Sequence, residues 1–468
     1  MTMWTPEALD PGLPRYLAIA DAIARDVARG VLSEGARLPT HRDLADRLGV
    51  TVGTITRGYA EAERRGLTVG EVGRGTFVRP RRAPEDFGWR DAARTGSVGG
   101  VIDMSLACPW IPPDGEEGQL LARTLEQITR SGPLDELMAY TPLTALPRHL
   151  AVAAEWIGGM GLQVSPEQVV ATSGGQHAIT VSLGSLLRPG DTVATAALTY
   201  PGLKAVAQML GLRLAGVELD EEGIVPAALD LVCERFSPRA LYCVPTLQNP
   251  TSATMSMARR QAIVEVARKR DLLVIEDEIH VAPRTERLTP LAAMAPERTV
   301  HITTLCKWAT FGLRIGFAAV PRPLVERVRA GVRSSLWMPA PLMAEVATRW
   351  ISDGTADRLG RRKLDELEAR HALAREVFGD RFDVRTHPSA ITLWVHLPEP
   401  QRSDECVARA RQRGVGIAGA EAFAVGRVIP QAVRVAIGAV PRREDVRRGL
   451  EILADVFEGC SDPVAQIL

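Results

Sequence analysis

Long apolar runs are missing from this sequence. No stretch approaches the roughly 18 consecutive apolar residues that a membrane helix requires. The first twelve residues contain no basic residue and no apolar core, which argues against a secretory signal. We therefore expect a cytoplasmic protein without membrane contact.

Paired cysteines are missing as well. The six cysteines are scattered, with no C-x-x-C pair and no histidine cluster near them. This pattern argues against a zinc or other metal site and against a disulfide framework. The composition, with 46% hydrophobic and 24% charged residues, is that of an ordinary globular protein, and 468 residues suggest about three domains.

Lysine is scarce, since only four of the 56 basic residues are lysine. Lys269 and Lys363 lie in charged helical runs, where we expect them to be solvated, and Lys204 stands at a predicted helix start. Lys307 alone lies in a largely apolar stretch. Because desolvation lowers the pKa of a lysine, Lys307 is a candidate for a reactive amine.

Residues 14–80 read as one small unit. Helical spacing covers residues 16–30, Thr40 is placed to cap a second helix, and Thr51 is placed to cap a third. A glycine-containing hairpin is predicted over residues 67–78. Two helices, a short turn, a third helix and a hairpin form the order of a winged helix-turn-helix domain.

This segment is also basic, although the whole chain has 56 basic and 56 acidic residues. From His41 to Arg82 there are nine arginines and five acidic residues. Such an excess indicates either a nucleic-acid contact or a solvated face.

From residue 101 onward, short apolar strands alternate with helices. Strands are predicted at residues 168–172, 191–197, 240–244, 272–276 and 300–303. Near-continuous apolar strands between helices indicate an α/β fold with a mostly parallel sheet that is buried on both faces.

The chain beyond about residue 340 is helix-rich and carries two further predicted strands, at residues 391–397 and 432–437. This change predicts a separate, smaller lobe. The predicted division is a winged helix-turn-helix at 1–80, a polar linker at 81–100, a large domain at 101–340 and a small C-terminal domain at 341–468.

Candidate chemistry follows the predicted strands, because ligands of parallel sheets bind at the carboxyl ends of the strands. The turn T-S-G-G-Q at residues 172–176 precedes a helix whose free N–H groups suit an anion. Tyr200 has a ring that stacks on planar groups, and Asn249 has an amide donor. Asp277 can pair with a protonated ring nitrogen, and Arg314, seven residues after Lys307, can neutralise a phosphate.

Each of these features also has an ordinary structural explanation. The glycines fit a tight strand-to-helix turn, Tyr200 fits a surface turn and Asn249 fits an Asn-Pro turn. The acids near Asp277 can reach solvent just past the strand end, and Lys307 can extend its amine to the surface. Together, however, the strand ends present a phosphate cradle, a stacking ring, an amide, an acid and a lysine. Those are the parts that pyridoxal 5′-phosphate (PLP) requires.

The chain resembles type I aminotransferases and, more closely, the MocR family of GntR-type regulators. In the predicted N-terminal domain the resemblance rests on L-P-T-H-R-D-L-A, G-V-T-V-G-T-I-T-R-G-Y and G-R-G-T-F-V. In the two predicted domains after residue 100 it rests on T-S-G-G-Q-H-A-I, T-Y-P-G, L-Q-N-P-T, E-D-E-I-H, C-K-W and V-R-V-A-I-G. It covers nearly the whole chain, and it implies a winged helix-turn-helix joined by a linker to a PLP-dependent type I aminotransferase fold.

The resemblance also implies roles for single residues. Lys307 would bind PLP covalently and Asp277 would pair with the pyridine nitrogen, as the catalytic pair. Asn249 would bind the ring hydroxyl and Tyr200 would stack on the ring. The phosphate would be held by Gly174, Gly175, Gln176, Thr304 and Arg314, and Ser173 would be a further cofactor-binding residue.

Two further roles follow from the resemblance. Arg434 would bind the carboxylate of a substrate or effector in a bidentate manner. Tyr140 matches the tyrosine that reaches the phosphate of the partner subunit, which implies a homodimer with shared sites.

The chain departs from the family pattern at three positions. His280 stands where tyrosine is usual, and its imidazole N–H can replace the phenol as a donor to the ring oxygen. Cys306 replaces a serine before the lysine, and Ala145 replaces a glycine. We expect these departures to bear on turnover and not on PLP binding.

The DNA contacts of the family map to the second and third helices and to the wing. Thr54 and Arg57 lie on the helix face opposite Ile55 and Tyr59, as in a recognition helix whose other side is core. The few charges in this helix predict weak non-specific binding and a shallow salt dependence. The predicted contacts with double-stranded DNA are Arg42, Thr51, Thr54, Arg57, Arg74, Gly75 and Thr76.

Three functions fit the sequence. The first is a PLP-dependent transcription regulator that senses an amino compound or PLP itself. The second is an aminotransferase that carries a DNA-binding appendage. The third is a DNA-binding protein whose body only dimerises.

Overall fold

The computed structural model describes residues 4–6, 9–33, 35–64, 67–71, 75–78, 101–132, 134–140, 144–280, 288–399, 401–426 and 428–459. The chain divides into two compact units, Met1–Asp86 and Phe87–Leu468. We call them the head and the body. The predicted linker at 81–100 lies outside the described residues, so its boundaries stay a prediction.

The head consists of three helices and a hairpin. The helices are α1 (Arg15–Ala28), α2 (His41–Leu48) and α3 (Val52–Arg64). The antiparallel strands are β1 (Thr68–Glu71) and β2 (Gly75–Val78). The predicted winged helix-turn-helix order is therefore confirmed.

Side-chain caps fix where the second and third helices begin. The hydroxyl of Thr40 accepts a hydrogen bond from the backbone N–H of Asp43 at 3.2 Å. The hydroxyl of Thr51 accepts one from the backbone N–H of Thr54 at the same distance. Each cap satisfies a helix N–H that has no partner within the helix, as the sequence predicted.

The core of the head lies between α1, α3 and the hairpin. Ile19, Ile23, Ile55 and Tyr59 are all buried within it. The Tyr59 hydroxyl donates to the carbonyl of Pro39 at 2.9 Å, which satisfies the phenol and ties α3 to the start of α2.

The helices and strands of the body follow one another along the chain. The strands are β3 (Ile102–Asp103), β4 (Val169–Thr172), β5 (Thr192–Ala196), β6 (Arg213–Val217), β7 (Leu219–Asp220), β8 (Gly223–Ile224), β9 (Ala240–Cys243), β10 (Leu273–Asp277), β11 (Thr299–Thr304), β12 (Gly316–Ala319), β13 (Asp383–Arg385), β14 (Thr392–His396), β15 (Val415–Gly416), β16 (Ala418–Gly419) and β17 (Ala432–Ala436). The helices are α4 (Glu116–Ser131), α5 (Leu134–Met138), α6 (Pro147–Gly158), α7 (Gly175–Leu186), α8 (Pro201–Met209), α9 (Pro226–Phe236), α10 (Met257–Lys269), α11 (Leu291–Met294), α12 (Val325–Leu336), α13 (Pro341–Ser352), α14 (Thr355–Phe378), α15 (Ser403–Gln412) and α16 (Arg443–Gly459). None of these helices, and none in the described part of the head, is long and apolar enough to cross a bilayer.

A seven-stranded sheet forms the centre of the body, with strand order β4-β12-β11-β10-β9-β5-β6. Only β12 runs antiparallel to its neighbours, so the predicted mostly parallel sheet is confirmed. Every residue of β4, β9, β11 and β12 is buried, as expected for a sheet covered on both faces. Helices α7 and α12 pack on one face of the sheet.

The second lobe is built on a four-stranded antiparallel sheet with order β13-β14-β17-β16. Helices α14, α15 and α16 cover it and share its apolar core. The expected smaller lobe is therefore present, and its central strands are the two that the sequence predicted.

The short strand β3 belongs to neither large sheet. It pairs in parallel with β15, which brings the start of the body against the small lobe. Neither β3 nor the sheet strands β6 and β12 were predicted.

Candidate functional site

A cavity of about 300 Å³ lies at the carboxyl ends of the central strands. Its walls come from the turn at the start of α7, the turn at the start of α8, the turn after β9, and the loops after β10 and β11. The predicted site residues among its lining are Gly175, Gln176, Tyr200, Asn249, His280, Thr304, Lys307, Arg314 and Arg434. Three other predicted residues, Ser173, Gly174 and Asp277, lie within two residues of a lining residue in the chain.

Lys307 lies in this cavity, after β11. Its Nζ donates a hydrogen bond of 2.6 Å to the main-chain oxygen of Ala107. Burial lowers the pKa of Lys307, with the positive charge of Arg434 acting in the same direction. The environment therefore favours the neutral, nucleophilic amine that the sequence predicted.

Asp277 ends β10 and is fully buried. Its Oδ2 accepts a hydrogen bond from the Tyr242 hydroxyl at 2.6 Å, and its Oδ1 accepts one from the backbone N–H of Ile279 at 3.2 Å. Burial raises the pKa of Asp277, whereas both hydrogen bonds oppose that rise. The carboxylate retains free lone pairs for a further donor.

An anion cradle forms where β4 turns into α7. Gly174 caps the helix with φ 85°, a left-handed conformation that favours glycine. A Cβ added to Gly174 would lie 2.8 Å from Nη2 of Arg314, so backbone and guanidinium are in close approach. The free N–H groups of the helix and the arginine therefore offer positive charge at one point.

Arg434 projects from β17 of the small lobe. Its Nη1 donates to Oδ1 of Asn249 at 2.8 Å, and its Nη2 donates to the main-chain oxygen of Ser105 at 2.5 Å. Burial lowers the pKa of Arg434 to about 10, which leaves the guanidinium charged at neutral pH. It also lies over the ring of Phe423, with 4.7 Å from Cζ to the ring centroid.

His280 is buried in the same cavity, three residues after Asp277. Burial, together with the positive charges of Lys307 and Arg434, lowers the pKa of His280 to about 3. The imidazole is therefore neutral near pH 7 and keeps one N–H, as expected for a replacement of the family tyrosine.

Two residues near Lys307 already use polar groups in contacts within the protein. The Thr304 hydroxyl donates to the main-chain oxygen of Ile315 at 2.7 Å. Nη1 of Arg314 approaches Sγ of Cys306 at 3.6 Å. The Thr304 hydroxyl would therefore have to rotate away from Ile315 to donate to a phosphate.

Tyr140 does not line the cavity. Its side chain is 52% exposed, and its ring lies 5.4 Å from the ring of Trp337, which is 58% exposed. Its predicted role at a partner's site stays a prediction.

The expectation for Lys363 was wrong. This lysine is only 3% exposed and pairs with Glu117 at 2.7 Å, although it lies in a charged helical run. The partner belongs to α4, far away in the sequence, so local pattern could not reveal the pair. Lys269 is solvated as expected and pairs with Asp230 at the surface.

The predicted DNA-binding residues lie on the exposed side of the head. Arg42, Thr51 and Arg57 are exposed, and Thr54 is half-buried. The guanidinium of Arg57 lies over the Tyr16 ring at 4.6 Å. Gly75 and Thr76 belong to β2, whereas Arg74 lies outside the described residues.

The residues present fit PLP. The cavity volume lies at the lower end of the range for small-molecule sites. Among the lining residues, Oε1 of Gln176 and Nε of Arg434 are buried without a hydrogen-bond partner, so polar groups are left for a ligand. A cationic phosphate cradle, an acid and a half-buried lysine complete the donor set.

Other parts of the cavity were not predicted. Ser105, Ala107 and Cys108 line it from the segment after β3, and Phe311 lines it beside Lys307. A two-residue strand gives no periodic signal, so the sequence offered no indication of this wall.

Two family models match the chain. Residues 15–78 match "Bacterial regulatory proteins, gntR family", and residues 112–453 match "Aminotransferase class I and II". The second match covers most of the chain.

Two regulators align with most of the chain, and a solved enzyme shares the fold of its body. The HTH-type transcriptional regulator YdeF of Bacillus subtilis is 30% identical over 97% of each chain. The HTH-type pyridoxine biosynthesis transcriptional regulator PdxR of Corynebacterium glutamicum is 26% identical over 88% of this chain and 90% of its own. A solved archaeal alanine:glyoxylate aminotransferase shares the fold of the body with a TM-score of 0.73, at 22% identity over 86% of this chain and 99% of its own.

Proposed function

This chain belongs to the GntR family of bacterial regulatory proteins, in the MocR-type group whose helix-turn-helix head is joined to an aminotransferase class I and II body, and we propose that it regulates transcription in response to a small amino compound bound in the body. The observation that carries the proposal is the cavity lined by Lys307, Arg314 and Arg434, in a chain that also has a DNA-binding head.

The cofactor of the proposal is PLP. When bound, PLP supplies an aldehyde that reacts with primary amines and a ring that withdraws electrons. Lys307 offers the amine, and Asp277 offers a carboxylate to the ring nitrogen. Gly174, Gly175 and Arg314 would hold the phosphate at the N-terminus of α7.

The remaining site residues select what enters. Asn249 and the neutral His280 would offer donors to the ring oxygen, and Tyr200 would stack on the ring. Arg434 binds a carboxylate, because its buried guanidinium is charged and its Nε has no partner in the described part of the chain. The effector class that fits is a primary amine with a carboxylate.

PLP itself is the other candidate effector. The name of the C. glutamicum relative refers to pyridoxine biosynthesis, so a regulator of this group can be tied to the cofactor. If PLP is the effector, PLP alone changes DNA binding. If an amino compound is the effector, an amino acid is needed in addition to PLP.

Catalysis is a second candidate function, favoured by the joint presence of Lys307, Asp277 and Arg434. An aminotransferase converts bound PLP to its pyridoxamine form in the presence of an amino acid. Single-turnover absorption measurements with a panel of amino acids decide this point, and a lack of conversion excludes turnover.

The assembly we propose is a homodimer. Tyr140 and Trp337 form an exposed aromatic pair beside Met138, which is 87% exposed. Burial against a second copy removes this apolar surface from water. Sedimentation of the full chain tests the dimer, and a monomer at micromolar concentration contradicts it.

The central experiment combines colour and DNA binding. Purified wild-type protein with PLP should show a visible absorption band that Lys307→Ala lacks, while Lys269→Ala, at an exposed lysine, keeps it. Footprinting on the DNA upstream of its own and neighbouring genes should find a specific site whose occupancy responds to PLP or to an amino acid. A colourless wild type rejects the PLP site, and the absence of any specific footprint rejects the regulator.

A further inference from the structure

Asp277, the proposed partner of the ring nitrogen, is in contact with a buried tyrosine. Tyr242 lies in β9, and its hydroxyl donates to Oδ2 of Asp277 at 2.6 Å. In the parallel pairing of β9 with β10, Tyr242 is opposite Ile275. Asp277 is two residues further along β10, and therefore on the same face of the sheet as Ile275. The sheet itself thus places the hydroxyl against the carboxylate.

Packing alone does not account for the hydroxyl. The Tyr242 ring is fully buried in an apolar cluster that includes Val170, Ile179 and Ile302. A phenylalanine would fill the same volume without the desolvation cost of a hydroxyl. A buried phenol needs a hydrogen-bond partner, and the partner here is Asp277.

The burial and the charges around the pair favour Tyr242 as the donor and Asp277 as the acceptor. Burial and the adjacent Asp277 carboxylate raise the pKa of Tyr242 well above its usual value, so it remains a donor. Burial also raises the pKa of Asp277, and the hydrogen bond from Tyr242 is the foremost influence that opposes this. The hydroxyl therefore stabilises the ionised carboxylate.

We propose that Tyr242 is a positioning residue that holds Asp277 ionised and aimed at the cofactor ring, and so keeps the proton on the ring nitrogen. The inference rests on the proposed function, because it presupposes PLP in the cavity. Each oxygen of Asp277 accepts one hydrogen bond, from Tyr242 or from Ile279, and each still has a lone pair for the ring N–H.

The test is the protonation state of the ring nitrogen, read by ¹⁵N NMR of full-length protein loaded with ¹⁵N-labelled PLP. In Tyr242→Phe the resonance should move from the protonated toward the unprotonated position, in the direction of Asp277→Asn. PLP affinity should fall about tenfold, the loss expected for one hydrogen bond to a buried charged group. Site-specific replacement of Tyr242 by 3-fluorotyrosine, a more acidic donor of nearly the same shape, should move the resonance the other way.

The matched control is Tyr59→Phe, which also removes a buried phenol hydroxyl, but from the head. It should leave both the resonance and the affinity unchanged. A ring resonance and affinity in Tyr242→Phe equal to those of the wild type overturn the inference. If Tyr242→Phe does not fold, an unshifted resonance in the fluorotyrosine protein overturns it. A wild type that does not bind PLP is a different result, because it rejects the proposed function itself.

Discussion

Lys307 and Ala107 are joined by a hydrogen bond of 2.6 Å, from Nζ to the main-chain oxygen. Two residues earlier, the main-chain oxygen of Ser105 accepts a hydrogen bond of 2.5 Å from Arg434. The segment 105–108 is thus held by the lysine that PLP would engage and by the arginine that a carboxylate would engage.

The first prediction follows from the first of these two hydrogen bonds. Lys307→Ala in PLP-free protein should speed amide hydrogen exchange in residues 105–108 by about fivefold, the effect of losing one hydrogen bond of roughly 1 kcal/mol. Addition of PLP should change exchange in this segment in the wild type and not in the variant. Lys269→Ala is the control, and equal exchange rates in all three proteins contradict the prediction.

The second prediction concerns the cradle. Gly174→Ala places a Cβ 2.8 Å from Nη2 of Arg314 at a φ of 85°, so both crowding and backbone strain result. PLP affinity should fall at least tenfold, and stability should fall by about 1–3 kcal/mol. Gly190→Ala separates the two causes, because Gly190 has φ 91° and open space around its Cβ position. It should lose stability by about 1 kcal/mol and keep its PLP affinity. Equal PLP affinities in the two variants and the wild type are the contrary result.

Much of this site was predictable because parallel strands have a common direction. The sequence places Tyr200, Asn249 and Lys307 after separate strands, and such strand ends converge at one edge of a sheet. Their side chains do line one cavity. The strand patterns themselves were readable because the central strands are buried on both faces and are therefore apolar throughout.

The remainder depends on contacts between distant parts of the chain. Ala107 reaches Lys307 from a segment with no periodic pattern, and Glu117 neutralises Lys363 across a similarly long separation. Tyr242 looks like one more apolar strand residue until β10 places Asp277 beside it. Sequence patterns report local burial, whereas these three relations depend on tertiary packing.

The third prediction concerns a buried charge cluster at the end of β10. Arg260, fully buried, contacts Glu278 at 3.3 Å, and Glu276 contacts His301 at 3.0 Å. Burial raises the pKa of Glu278 to about 7. The pKa of His301 is also raised, because the hydrogen bond and charge of Glu276 outweigh its burial.

The raised pKa values of Glu278 and His301 affect the pH dependence of stability in the same direction. A group whose pKa is higher in the folded chain takes up a proton on folding, so stability is retained at low pH and lost as pH rises through the folded pKa. The stabilisation that Glu278 contributes should therefore be lost between about pH 5 and pH 7, so the unfolding free energy of the wild type, relative to that of Glu278→Gln, should fall over this range. Denaturant titrations at several pH values test it, with Glu155→Gln, at an exposed acid, as the control. An unchanged pH profile in Glu278→Gln is the contrary result.

The fourth prediction addresses effector selection. Arg434→Gln should weaken the spectral response to an amino acid by about 10–100-fold, the loss expected for a bidentate, charge-assisted contact. The response to the matching amine without a carboxylate should change less than about twofold. Titration of PLP-loaded protein with alanine and with ethylamine provides this comparison within one variant. If both responses weaken equally, Arg434 acts on the cofactor and not on the carboxylate.

The last prediction concerns the head. Arg57 is exposed on α3 and braced by the Tyr16 ring at 4.6 Å, so its charge is presented at a defined place. If it contacts a phosphate, Arg57→Ala should weaken binding to specific and unrelated DNA alike and reduce the slope of log affinity against log salt by about one. If it reads a base edge, the loss should fall on the specific site alone, by about 1–3 kcal/mol. Arg29→Ala, at an exposed arginine directly after α1, is the matched control. Fluorescence anisotropy at several salt concentrations distinguishes these outcomes. An unaltered affinity for both the specific and the unrelated DNA would show that Arg57 does not contact DNA.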